Sequence, residues 1–168
     1  VLKTRKFIKD KFFLMLLPDD LIMKRNCSKD MIKIHNKYKC SVMASMNVNR
    51  KNVSRWGIYS VKHKIGKFNF VIDDVIEKPD IKMAPSNKAV IGRYILSNDI
   101  FEKLKNQKKG KGGEIHITDT IRNSIKEGKK FIGHNFIGKY LDCGSMDGYI
   151  NSGLELSLIH ISEPTRRV

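Results

Sequence analysis

The chain has 168 residues, 40% hydrophobic and 8% aromatic, which is enough for one globular domain with a sizeable core and too apolar for a disordered segment. Its net charge of +16 comes from 25 Lys and 8 Arg against 17 acidic residues. Lysines spread along the chain, beside many Ile and Asn, read as codon bias and solvated surface that steers an anionic substrate, whereas nucleic-acid readers rely on the Arg fork. No apolar run approaches the roughly 18 residues of a membrane-spanning helix. Three cysteines, Cys27, Cys40 and Cys143, without CxxC spacing, predict reduced thiols in a cytoplasmic protein, with neither a disulfide framework nor a zinc site. The opening "VLKTRKFIKDKFF" lacks the features of a secretory leader. The start at Val1, without Met, leads us to expect a fragment.

In chain order, the apolar run at residues 12–17 predicts a strand buried on both faces, ended by Pro18. Ser28 is the expected N-cap of a helix carrying Met31, Ile34, His35 and Tyr38 at helical spacing. Strands are expected over 41–48, over "RWGIYSV" across Gly57, and over "FNFVIDDVIEKP" up to Pro79, which cannot continue a ladder. A further strand over 88–96 leads to a helix capped by Ser97, with Ile100, Phe101 and Leu104 facing inward. "KKGKGG" reads as a loop. Thr118 is expected to cap a helix that pairs Ile121 with Ile125. "KFIGHNF" and "KYLD" read as strands, and Ser145 starts a last helix. Alternating strands and helices predict an α/β layer fold with a largely parallel sheet, whose ligand edge lies beyond the strands' carboxyl ends, placing Asp19 and Asp142 there.

Asp19 and Asp20 follow the first strand. Each suits either a cap or a Mg²⁺ ligand, since Mg²⁺ takes oxygen donors, commonly one or two carboxylates plus substrate phosphates. Asp142 is either a second such carboxylate or the start of an Asx-turn. Cys143 beside it reads as a small buried residue. Glu77 and Lys78 are either a surface pair before Pro79 or partners for sugar hydroxyls and a phosphate. Gly57 allows a close ligand approach or marks a bulge.

The segments "LLPDDLI", "VSRWGIYSV", "VIEKP", "APSNKAVIGRYIL", "GKGGEIHITDTIR" and "YLDCGSMDGYI", in this order, resemble bacterial UTP–glucose-1-phosphate uridylyltransferases over residues 1–155. The resemblance implies a Rossmann-like nucleotidyltransferase fold, with a mixed, mostly parallel sheet incomplete at its N-terminus. It implies Mg²⁺-dependent transfer of UMP from UTP to glucose 1-phosphate, with no nucleic-acid or membrane partner and a homo-oligomer at full length. Asp19 and Asp142 match the metal ligands, and with Lys78, which reaches the sugar phosphate, they form the catalytic set. Glu77 matches the residue on the glucose hydroxyls. Gly57 and Val90 match positions whose backbone meets the sugar. Asp20 matches no assigned role, and Trp56 stands where the family usually has Tyr. The family's Gly-rich nucleotide loop and base-reading segment have no counterpart here, so residues 1–155 are expected to be the sugar-phosphate half, inactive alone. Thymidylyltransferases or other sugar-1-phosphate nucleotidyltransferases are the nearest alternative, and a basic nucleic-acid-binding module is the alternative of another class. The last residues, "LSLIHISEPTRR" from Leu156, resemble translated sequencing adapter, so 156–168 is expected to be a non-native tail.

Overall fold

The computed structural model describes residues 1–107, 113 and 115–162, with side chains in the last helix through residue 158. Most of the loop expected at "KKGKGG" and the end of the expected tail lie outside the described residues. Eight strands and four α-helices are described: β1 (Phe12–Leu16), β2 (Asp20–Met23), α1 (Cys27–Tyr38), β3 (Ser41–Asn47), β4 (Gly57–Lys64), β5 (Asn69–Glu77), β6 (Lys88–Ser97), α2 (Ile100–Asn106), α3 (Ile117–Lys126), β7 (Phe131–Asn135), β8 (Lys139–Asp142) and α4 (Met146–Ser162). Short 3-10 helices cover Leu2–Phe7 and Arg50–Arg55. No described helix is long and apolar enough to cross a membrane.

Six strands form one sheet in the order β1-β6-β3-β7-β5-β4, and β2 pairs with β8 in a separate ribbon. The sheet is mixed, as expected, but not mostly parallel: among the described strands only β3 and β7 run parallel. The cause is in the chain order. β4, β5 and β6 follow one another with no α-helix between them, and the turn at Gly66 (φ 80°) folds β4 back on β5. Short connections of this kind give antiparallel neighbours, whereas a parallel pair needs a long crossover. Ile58 of β4 also pairs with Ala89 of β6, so the sheet curls back toward itself at that end.

Alternation along β3 and β6 divides the core between two faces. Met43, Val90, Tyr94 and Leu96 point to one face and pack with Tyr59, Phe70, Phe101 and Ile121 beneath α2 and α3. Val42, Ala44, Ile91 and Ile95 point to the other and pack against Met31 and Ile34 of α1. The expected doubly buried first strand is instead an edge strand. β1 pairs with β6 alone, and Leu16 is 51% exposed, because no described element covers its outer edge.

Three expected caps move. Asn26, not Ser28, caps α1 by accepting the Lys29 N–H at 2.9 Å, since Ser28 already lies inside the first turn. Ser97 ends β6, and α2 starts after Asp99 without a side-chain cap. Thr118 lies one residue inside α3, behind His116 at the cap position. Ser145 does cap the last helix, accepting the Gly148 N–H at 3.1 Å. That helix continues as α4 through Ser162, so residues 156–162 are helical.

His134 of β7 is buried, with Nδ1 2.7 Å from Asn69 Oδ1 and Nε2 without a partner among the described residues. Burial holds its pKa below the ordinary 6.5. The unfolded chain therefore takes up a proton near pH 6.5 while the folded chain stays neutral until lower pH. Stability is complete above that value and falls as pH drops toward the folded pKa, by up to about 1.4 kcal/mol per pH unit. His134→Gln is expected to flatten this limb. Urea unfolding on either side of pH 6.5 checks it, and parallel slopes in both proteins would show that the imidazole titrates as freely folded as unfolded.

Candidate active site

The two-stranded ribbon brings three acidic residues to one corner. Asp20 at the start of β2 lies opposite Asp142 at the end of β8. Asp19 precedes Asp20, and its carbonyl accepts the Cys143 N–H at 2.7 Å. A methyl group on Gly144 would sit 2.9 Å from Asp19 Oδ2 and 3.3 Å from Asp142 Oδ1. The two carboxylates thus converge beside Gly144, closer than a side chain there would leave them without a shift. Asp142 also makes the Asx-turn left open above, its Oδ1 accepting the Gly144 N–H at 2.9 Å. Its Oδ2 lies 4.0 Å from Arg55 Nη2, an exposed pair of little energetic weight. Cys143 is half-exposed rather than buried, because it sits on the connection between ribbon and α4. Among the described residues, no three His, Cys, Asp or Glu gather into a metal cluster.

Asp20 has a different task from its neighbour. It is 8% exposed; Oδ2 accepts the Gly92 N–H at 2.6 Å, Oδ1 accepts the Tyr140 hydroxyl, and its carbonyl accepts from Arg93. Gly92 is a glycine because a Cβ there would fall 2.1 Å from Asp20 Oδ2. Burial raises the Asp20 pKa, opposed by the bonds from Tyr140 and Gly92. Its oxygens are engaged in joining the ribbon to β6, which explains why it matches no chemical role.

The second group lies where β4 starts and β5 ends. Gly57 pairs with Glu77. A Cβ on Gly57 would meet Val90 Cγ2 at 3.0 Å, Glu77 Oε2 at 3.1 Å and Thr118 Cγ2 at 3.4 Å. Gly57, Glu77 and Val90, distant in sequence, therefore line one nook. No bulge falls at Gly57; the β4 irregularities lie beyond Ser60. Gly57→Ala is expected to cost about 1 kcal/mol by overpacking, read as a lower urea midpoint; a midpoint at or above the parent's would show that the nook opens freely. Lys78 follows in left-handed backbone (φ 44°), exposed, its N–H bonded to the Trp56 carbonyl at 3.1 Å. A non-glycine in this region is strained by roughly 1–2 kcal/mol, and such positions cluster at functional sites.

Residues 55–57 link the two groups. Arg55 approaches Asp142, Trp56 packs edge-on against Tyr140 at 5.6 Å between centroids, and Gly57 faces Glu77. Tyr94 of β6 is buried in the core beneath α2 and α3. Its hydroxyl pKa is raised by burial first, then by the charges of Asp20, Glu77 and Asp19. β6 thus presents Val90 to the nook and Gly92 to Asp20. The sequence reading assigned no site role to Thr118, which is 6% exposed and donates its hydroxyl to Glu77 Oε2 at 2.8 Å. The available signal was a hydroxyl at the start of a helix, which reads equally as a cap.

Residues 1–157 match the family described as nucleotidyl transferases. A UTP–glucose-1-phosphate uridylyltransferase of Pseudomonas aeruginosa is 39% identical over 157 residues, covering 90% of this chain and 55% of that protein. A crystal structure of UDP-glucose pyrophosphorylase complexed with UDP-glucose superposes with a TM-score of 0.87 at 40% identity, over 94% of this chain and 60% of that one. A UTP-bound enzyme of the same kind from Acinetobacter baumannii gives 0.83 at 27%, over 98% and 56%. The chain spans little more than half the length of these relatives. By its matched length and its fold, the chain belongs to the nucleotidyl transferase family.

Proposed function

We propose that this chain carries the sugar-phosphate half and the metal carboxylates of a UTP–glucose-1-phosphate uridylyltransferase. The observation that carries the reading is the convergence of Gly57, Glu77 and Val90 on one nook, tied through residues 55–57 to the corner shared by Asp19 and Asp142. In the reaction, a phosphate oxygen of glucose 1-phosphate forms a bond to the α-phosphorus of UTP. The bond from that phosphorus to the β-phosphate bridging oxygen breaks, and pyrophosphate leaves with its electrons.

Glu77 accepts hydrogen bonds from glucose hydroxyls while the backbone at Gly57 and Val90 borders the ring. Lys78 meets the sugar phosphate as a point charge; its strained backbone fits a residue held for contact rather than for packing. Asp19 and Asp142 would hold a divalent oxygen-seeking ion such as Mg²⁺, since both carboxylates converge beside Gly144 and such an ion takes one or two carboxylates along with substrate phosphates. When bound, Mg²⁺ neutralises the charge that builds on the phosphoryl oxygens. Bringing two anions together at ~4 Å otherwise costs roughly 4 kcal/mol per charge pair at an effective dielectric near 20.

The test is a chimera in which the Pseudomonas relative supplies the stretch of its own length that this chain does not span. Pyrophosphate release from UTP, dependent on glucose 1-phosphate and Mg²⁺, is expected. A folded chimera that releases none with any hexose 1-phosphate would end the reading.

A further inference from the structure

Glu77 is a carboxylate with two oxygens at the end of β5, on a side chain with three torsions about which it can turn. The structure restrains it from one side. Thr118 Oγ1, in the first turn of α3, donates to Glu77 Oε2 at 2.8 Å, and Thr118 Cγ2 stands 3.4 Å from where a Gly57 Cβ would be. Thr118 is almost fully buried, so the bond is shielded from competing water.

We propose that Thr118 is the positioning residue that sets sugar selectivity: its bond to Oε2, the oxygen that lies beside Gly57, fixes the direction in which the carboxylate is presented to the sugar. This rests on the reading of Glu77 as the sugar-hydroxyl acceptor. A carboxylate free to rotate would accept from axial and equatorial hydroxyls alike, whereas a pinned one accepts from a single direction. Hydroxyl epimers at one ring carbon then differ in whether they find a partner, and an unpaired polar group is what gives hydrogen-bonding sites their discrimination.

The experiment uses the 168-residue chain itself, titrated with glucose, galactose and mannose 1-phosphates and followed by ligand-observed nuclear magnetic resonance. Thr118→Val keeps the volume and removes the hydroxyl; Thr118→Ser keeps the hydroxyl. Thr118→Val is expected to weaken glucose 1-phosphate binding about tenfold, the scale of one hydrogen bond to a charged group, and to narrow the gap between epimers. Thr118→Ser should stay within about threefold of the parent and keep the gap. Equal losses in both variants would assign Thr118 to packing and overturn the proposal. So would unchanged affinity and selectivity in Thr118→Val. A double-mutant cycle with Glu77→Gln adds a check through Thr118→Ser and Thr118→Ala should Val prevent folding: losses through Glu77 must be non-additive, and additive losses count against it. The reading beneath the proposal fails separately, if the parent chain binds none of the three sugar phosphates.

Discussion

In the chimera, Asp19→Asn and Asp142→Asn are each expected to lower kcat by about a thousand-fold while changing the KM for glucose 1-phosphate by less than about threefold. Asparagine keeps the shape of each side chain and removes the charge a hard cation requires. Neither residue belongs to the nook at Gly57, so sugar binding should survive. The loss falls on the transition state, where charge on the phosphoryl oxygens is greatest, and several kcal/mol of electrostatic stabilisation is the usual scale for such a group. The two substitutions act on one shared space beside Gly144, so combining them should cost little more than either alone. Raising the Mg²⁺ concentration should recover part of the activity of each. Should affinity for glucose 1-phosphate fall as far as kcat, or should the pair prove additive, the carboxylates would not be sharing an ion.

Asp20→Ala is expected to destabilise the fold by about 3 kcal/mol, which for a domain of this size lowers the melting temperature on the order of 10 °C. The side chain it removes is 8% exposed and accepts from the Gly92 N–H and the Tyr140 hydroxyl. Both donors would be left in a buried setting without a partner, and the methyl group of alanine cannot fill the space between ribbon and β6. Asp20→Asn should fall in between, since one amide oxygen can still serve one donor. Differential scanning calorimetry on the 168-residue chain measures this without any substrate. If Asp20→Ala melts with the parent while the chimera loses turnover, Asp20 belongs to the chemistry and its structural role is refuted. Adjacent carboxylates, one facing the open corner and one locked to β6, are thus separable by experiment.

Local chemistry in the sequence was enough to place most elements. The 3.6-residue spacing of Met31 and Ile34 and of Ile121 and Ile125 sets which faces of α1 and α3 meet the sheet, because a helix must bury its apolar stripe. Pro79 and the alternation before it end β5 within two residues of the observed Glu77. Family-like motifs pointed to Asp19, Gly57, Glu77, Lys78, Val90 and Asp142, and the fold gathers five of these into two groups through side chains or strand pairing. Lys78 joins them only by following Glu77.

What tertiary structure alone decided is partner choice. A strand's residues do not reveal whether its neighbour runs parallel or antiparallel, and the uninterrupted succession of β4, β5 and β6 carried more weight than the wider alternation of strands and helices. The apolar run in β1 looks the same at an edge as in the centre of a sheet, since burial depends on what lies alongside. Asp19 and Asp20 are chemically identical in the sequence, and the bonds from Gly92, 72 residues away, and from Tyr140 separate the structural carboxylate from the open one. Thr118 likewise became a partner of Glu77 because long-range packing brought a carboxylate acceptor to its hydroxyl.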